Sequence, residues 1–180
     1  MTVDAAYFAR HVRAIADYPK PGVVFRDITT LMGSGEAFGR AGEALAAPFK
    51  GRGIAKVAGI EARGFILGGA IAMSLGAGFV PVRKKGKLPY DVMGKDYDLE
   101  YGTDRVEIHV DAVAKGEEVL LVDDLIATGG TAEAAIELLE LAGGRVAAAA
   151  FVIDLPDLGG LARLRARGLE TLALCAFAGS

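Results

Sequence analysis

The chain has 180 residues, 52% hydrophobic and 24% charged, which suits one globular domain with a substantial core and excludes a disordered chain. Lys and Arg number 20 against 23 Asp and Glu, so the net charge is −3, without the basic excess of a protein that lives on nucleic acid or an anionic membrane. A single cysteine, Cys175, cannot form an internal disulfide, and with only His11 and His109 beside it no zinc site is suggested; a reducing, cytoplasmic compartment is expected.

Met1–Ile15 mixes charges with apolar residues and carries no secretory pattern. Ala5–Ala16 is expected to be helical, with Phe8, Val12 and Ile15 on one face, and Pro19, Pro21 and Gly22 stop it. Val23–Phe25 is a short apolar piece. A second helix fits Glu36–Lys50, a strand Ile54–Ile60, a helix Phe65–Leu75 and a strand Phe79–Val82. The uncharged stretch Ile66–Val82 contains Gly68, Gly69, Gly76, Gly78 and Pro81, which marks it as buried helix, turn and strand rather than a membrane span. Arg83–Asp104 is charged, carries Gly and Pro and holds no period; a loop of about 20 residues in a compact domain is usually a lid or binding loop. Val106, Ile108 and Val110 then alternate with Arg105, Glu107 and His109, as in a half-exposed strand, which leaves His109 on the polar face with no chemistry assigned. Val119–Val122 is wholly apolar, as in a strand covered on both faces. Ala132–Ala142 is a helix ended by Gly143 and Gly144, Val146–Leu155 a buried strand, Leu158–Ala166 a short helix and Thr171–Ala176 a last strand; Cys175 there is a small buried hydrophobe. This alternation predicts an α/β fold, a mostly parallel twisted sheet with helices on both faces.

The stretch from Val119 to Thr131 carries the chemistry. A buried strand delivers Asp123 and Asp124 at its C-terminal end, where open α/β sheets bind ligands. Ala127, Thr128, Gly129, Gly130 and Thr131 then turn the chain into a helix. Two glycines let backbone N–H groups approach an anion, two hydroxyls add donors, and the helix terminus adds partial positive charge. Together they suit a terminal phosphate, and the carboxylates before them suit vicinal hydroxyls, so a sugar phosphate fits. The competing reading is that the Asp pair and the glycines only turn the chain. No Lys follows the glycines, which excludes an ATP P-loop, and Gly-x-Gly-x-x-Gly is absent.

Val122-Asp123-Asp124-Leu125-Ile126-Ala127-Thr128-Gly129-Gly130-Thr131 resembles the phosphoribosyl pyrophosphate signature of the type I phosphoribosyltransferases. Four further segments, Tyr18–Ile28, Gly59–Phe65, Arg83–Pro89 and Tyr97–Asp104, narrow the resemblance to the adenine phosphoribosyltransferases and spread it over nearly the whole chain. The resemblance implies the type I phosphoribosyltransferase fold over residues 1–180, with a base-binding hood at 18–30 and a flexible catalytic loop at 83–104. It implies transfer of ribose 5-phosphate from phosphoribosyl pyrophosphate to N9 of adenine, giving AMP and pyrophosphate, with Mg²⁺ held mainly by substrate and water.

By the same resemblance Ala127–Thr131 would hold the 5′-phosphate, and Asp123 and Asp124 the ribose hydroxyls and the developing cation. Arg63, Arg83, Lys84 and Lys87 would face the pyrophosphate, whereas Lys85 is read as a solvated charge. Val24, Phe25 and Arg26 would line the base site. Glu100, with Tyr101 beside it in the loop, would handle the purine proton. A homodimer is implied, with apolar surface on the helix from Phe65 to Leu75. Two alternatives are weighed. Enzymes for 6-oxopurines usually carry Glu-Asp where this chain has Asp123-Asp124, and a Lys soon after the phosphate loop, which is missing here. A phosphoribosyl pyrophosphate-sensing regulator would need a DNA-binding domain or a basic RNA face, and neither is visible.

Overall fold

The computed structural model describes residues 4–98 and 102–178. Its main sheet contains β3 (Ile54–Ile60), β4 (Gly78–Lys84), β5 (Val92–Asp98), β6 (Thr103–His109), β7 (Glu118–Ile126), β8 (Arg145–Asp154) and β9 (Glu170–Ala176). The spatial order is β5-β6-β4-β3-β7-β8-β9. Strands β4, β3, β7, β8 and β9 run parallel, and β5 and β6 join antiparallel at one edge. Among the described residues no helix is long and apolar enough to cross a membrane.

The apolar run in β7 follows from burial on both faces. Val119 and Leu121 pack with Ala135, Ile136 and Leu139 of α5 (Gly130–Leu141), while Leu120 and Val122 pack on the other side with Leu45 of α3 (Gly35–Ala46) and Leu67 and Ile71 of α4 (Arg63–Leu75). With both faces dry, alternation has no role and every position is apolar. After Glu118 at its start, this central strand therefore carries polar residues only toward its C-terminal end, at Asp123 and Asp124, beside the C-terminal ends of β3 and β8.

The N-terminal segment departs from the expected long helix. Asp4 caps α1 (Ala5–Arg10) by accepting the Tyr7 amide at 3.0 Å, and the helix ends at His11. Residues Arg13–Ala16 are instead β1, paired antiparallel with β2 (Val24–Asp27), so that Ile15 lies opposite Phe25. The turn between them is held by Asp17, whose carboxylate accepts the Gly22 amide at 2.8 Å. Three apolar residues at helical spacing span too few turns to outweigh a complete antiparallel ladder. A short helix α2 (Thr29–Met32) follows.

The stretch read as a loop from Arg83 to Asp104 is also corrected. Strand β4 runs on to Lys84, and β5 pairs with β6 from Val92↔His109 to Asp98↔Thr103. Here the alternation is of charge rather than hydropathy: Asp96 faces Arg105 across the ladder with an ion pair at 3.2 Å, and Tyr97 donates to Asp104 at 3.1 Å. Lys95 docks the hairpin on α5 through Glu137 at 2.7 Å. Cross-strand charge pairs stabilise a ladder without leaving an apolar period to read. Strand β6 is not half-exposed either, because Glu107 is buried between its neighbours at 5% exposure. Leu99, Glu100 and Tyr101, at the tip between the two strands, lie outside the described residues.

Candidate functional site

The cleft forms where β3, β7 and the start of α4 and α5 meet. It encloses about 290 Å³ and is lined by Glu61, Ala62, Arg63, Lys84 and the chain from Asp123 to Ala132. Asp124 is 4% exposed, and its Oδ2 accepts the Nε–H of Arg63 in a tight ion pair; its amide donates to Asp123 Oδ1 at 2.8 Å. Burial, and then the negative charge of Asp124, push the Asp123 carboxyl well above the usual carboxylate range. The pair divides the work: Asp124 is charge-matched, and Asp123 is a buried acid favouring the neutral form.

Arg63 reaches Asp124 because α4 approaches β7 closely. A Cβ on Gly64 would fall 2.9 Å from both Asp123 Oδ1 and Val122 O, so no larger residue fits there without moving the helix. The turn that delivers Arg63 contains a cis peptide between Glu61 and Ala62.

Beyond Ile126 the chain turns through Ala127 and Thr128 into Gly129, which caps α5 at φ 87° without any side-chain hydrogen bond. The first helical bond runs from Glu133 N to Gly129 O at 2.9 Å. Amides of Gly130, Thr131 and Ala132 precede it and have no partner within the helix, which leaves them pointing into the cleft end with the positive pole of α5. The loop has a wall behind it. Gly160, at the start of α6 (Gly160–Ala166), donates to Ala127 O at 2.9 Å, and its missing Cβ would lie 2.3 Å from that oxygen and 2.7 Å from Gly129 N.

Glu61 and the β4 end make a second charged group. Glu61 accepts from Arg83 Nε at 3.2 Å and Nη2 at 3.3 Å and from the Lys84 amide at 3.0 Å. Burial works to raise its carboxyl, but the Arg83 guanidinium and the Lys84 amide outweigh it and hold the group below its ordinary value. Lys84 Nζ donates to Asp104 and to Tyr97; although burial disfavours its charge, these partners hold its ammonium above the ordinary lysine value.

The β1–β2 hairpin approaches the cleft at Arg63. The Phe25 ring packs edge-on against Tyr18 at 5.3 Å and lies 5.6 Å from the Arg63 guanidinium carbon, which joins the hood to the acid pair. Arg26 turns its guanidinium over Phe177 at 4.3 Å, with Nε buried and unpartnered among the described residues. Asp27 fixes the strand by accepting from Thr29 Oγ1 at 2.7 Å and Thr29 N at 2.8 Å, bonds that hold its carboxyl below the usual range.

The structure thus brings Arg63, Lys84, Asp123, Asp124 and Ala127–Thr131 into one cleft, with Phe25 at its rim. Arg83 stands behind it on Glu61 and on Lys87 O at 3.0 Å, and the Lys87 side chain is exposed outside it. Glu100 and Tyr101 fall on residues outside the description. In the sequence Glu61 is marked only as part of a turn, and the partners Tyr97, Asp104 and Glu107 carry no local signal. For Gly160 the one visible signal is the Gly159-Gly160 pair that opens α6. His109 stacks edge-on to Tyr90 at 6.1 Å, and Cys175 is buried with its thiol pushed up to about 11 by desolvation.

Residues 38–163 match the phosphoribosyl transferase domain family. A protein of Parvibaculum lavamentivorans named adenine phosphoribosyltransferase is 63% identical over 168 residues, 93% of this chain and 96% of that one. Its namesake in Nitrobacter hamburgensis is 64% identical over 168 residues, 93% and 94% of the two chains. Among solved structures, adenine phosphoribosyltransferase from Rhodothermus marinus superposes with a TM-score of 0.91 at 50% identity, covering 96% of this chain and 98% of that one. The Saccharomyces cerevisiae enzyme, complexed with an imino-altritol bisphosphate and adenine, gives 0.87 at 35% identity, with 94% and 97% covered.

Proposed function

The chain belongs to the phosphoribosyltransferase family and, within it, to the adenine phosphoribosyltransferases, and on that premise we propose how its own residues divide the reaction. The protein is a purine-salvage pentosyltransferase that makes AMP and pyrophosphate from adenine and phosphoribosyl pyrophosphate. The observation that carries the residue assignment is that one cleft gathers the helix amides, the acid pair and Arg63, and that the Phe25 ring lies 5.6 Å from the Arg63 guanidinium carbon.

The 5′-phosphate sits on the amides of Gly130, Thr131 and Ala132, with the hydroxyls of Thr128 and Thr131 as added donors. Asp123 and Asp124 take the ribose 2′- and 3′-hydroxyls. In the reaction the C1′–O bond to pyrophosphate breaks and the C1′–N9 bond forms, with positive charge building on the sugar between. The fixed charge of Asp124 stabilises that charge. Arg63 and Lys84, with Arg83 and Lys87 nearby, favour the leaving pyrophosphate. Phe25 stacks on the purine, and backbone groups at Val24 and Arg26 read its edge. Glu100 accepts the purine proton as the bond forms, and keeping water from the activated sugar protects it from hydrolysis.

Among the described residues no group of three or more His, Cys, Asp or Glu side chains could cage a metal ion. A carboxylate pair beside a diphosphate fits Mg²⁺ that keeps substrate oxygens and water as most of its ligands. When bound, Mg²⁺ supplies charge neutralisation on the pyrophosphate. A homodimer is supported by Ile66 and Met73, 50% and 87% exposed one heptad apart on α4. We assign the protein to the cytoplasm, consistent with a lone reduced cysteine.

The test is to incubate the protein with phosphoribosyl pyrophosphate, Mg²⁺ and, separately, adenine, hypoxanthine, guanine and orotate. AMP from adenine alone is expected. Product from another base would move the base assignment and leave the sugar site standing.

A further inference from the structure

Among the described residues Glu107 is the most buried carboxylate outside the acid pair, at 5% exposure, on a strand whose sequence pattern puts it toward solvent. It faces Arg83 directly across the β4–β6 ladder and Gly94 across the β5–β6 ladder. Its Oε2 accepts the Gly86 amide at 2.8 Å, and its Oε1 accepts Arg105 Nε at 3.1 Å. The Arg105 guanidinium occupies the space over Gly94, where a Cβ would fall 2.4 Å from it. Gly86 lies in the turn that leaves β4, at φ 74°, and two more bonds close that turn: Lys87 N to Lys84 O at 3.3 Å and Arg83 Nη1 to Lys87 O at 3.0 Å.

We propose that Glu107 is a positioning residue for the leaving group: through the Gly86 amide it fixes the 84–87 turn, so that Lys84 and Lys87 meet pyrophosphate in one geometry. The inference rests on the proposed pyrophosphate role of that turn. A buried carboxylate that ties down one amide is expensive to maintain unless its partners are held well, and both oxygens here are used. Glu107 touches no substrate. The 5′-phosphate loop and the acid pair lie on β7 and α5, and neither depends on this bond.

The test measures binding of pyrophosphate with Mg²⁺, and separately of AMP, by calorimetry on the wild-type protein and on Glu107→Ala and Glu107→Gln. Glu107→Ala is expected to weaken pyrophosphate about tenfold, the equivalent of one charge-assisted hydrogen bond, while AMP stays within about twofold. Glu107→Gln keeps a carbonyl for the Gly86 amide and is expected to restore most of the pyrophosphate affinity. Equal losses for AMP and pyrophosphate, no loss for either, or Gln as weak as Ala would each overturn the proposal. If Glu107→Ala does not fold, Glu107→Asp, too short to span both partners, is expected to show the same selective loss, and an unselective one would overturn it. A wild-type protein that binds no pyrophosphate and forms no AMP would instead refute the proposed function itself.

Discussion

Replacing Gly160 by Ala tests whether the wall behind the phosphate loop is part of the catalytic geometry. The added Cβ would lie 2.3 Å from Ala127 O, 2.7 Å from Gly129 N and 2.8 Å from Ile126 Cγ1. An ordinary carbon contact is about 3.5 Å, so the loop and α6 must part by roughly 1 Å, and the Gly160 N to Ala127 O bond of 2.9 Å is stretched or broken. Overpacking of this kind costs about 1–3 kcal/mol, which at this size lowers Tm by roughly 2–4 °C per kcal/mol. The functional effect is larger in proportion, because a misplacement of about 1 Å in a positioning group is worth roughly a hundredfold in rate. Steady-state assays are expected to show kcat/KM for phosphoribosyl pyrophosphate falling about a hundredfold, with AMP binding weakened and pyrophosphate binding retained. Gly39→Ala, at an exposed helical position with nothing within 4 Å, is the control and leaves activity unchanged. A Gly160→Ala protein with lowered Tm but wild-type kcat/KM would show that the contact is packing only, and the argument from loop position would fail.

Asp124→Asn removes the charge that faces both Arg63 and the developing sugar cation; kcat/KM is expected to fall by about 10²–10³ with the fold retained by circular dichroism, and wild-type activity would refute the ribose assignment. Asp123 has a folded-state carboxyl raised above its unfolded value, so its unfolded form releases the proton first and its contribution to stability declines as pH rises from the ordinary carboxylate range toward the folded value. Asp123→Asn, neutral and of the same shape, is therefore expected to raise Tm at neutral pH and flatten that pH dependence; an unchanged pH profile of Tm would contradict the burial argument. Glu100→Gln is expected to lower kcat more than it weakens phosphoribosyl pyrophosphate binding, and a change confined to binding would reassign it to positioning.

Dry strands and their flanking helices were legible because both faces demand apolar residues: Ile54–Ile60 is the observed β3 to the residue. That the acid pair and the Ala127–Thr131 turn line one cleft was legible because small residues, hydroxyls and carboxylates at a strand end mark a ligand-binding edge. What escaped was held by partners distant in sequence. The β5–β6 hairpin pairs charges across a ladder, and a sequence shows charge but not which residue it faces. Glu107 read as outward because alternation is the only local cue, while its inward setting depends on Gly86, 21 residues earlier. Val12 and Ile15 carried a true apolar signal, yet Ile15 serves a strand because Phe25 lies opposite it.

The charges of the site share one design that no single segment reveals. Three cations of the proposed pyrophosphate side already have a carboxylate: Arg63 has Asp124, Arg83 has Glu61 and Lys84 has Asp104. Left unpaired, such long side chains would keep their rotamer freedom and lose it on binding, at up to about 2 kcal/mol each. Pairing removes that freedom beforehand. It also lets a diphosphate replace or join a carboxylate partner, instead of assembling cations from solvent. The half-exposed pairs Arg83–Glu61 and Lys84–Asp104 contribute little stability by themselves, so their yield to substrate costs little. Asp124 is different: it is buried, and removing Arg63 would strand its charge. In its proposed role Arg63 therefore serves the anion without leaving Asp124, which its fork of five donors allows and a lysine's point charge would not.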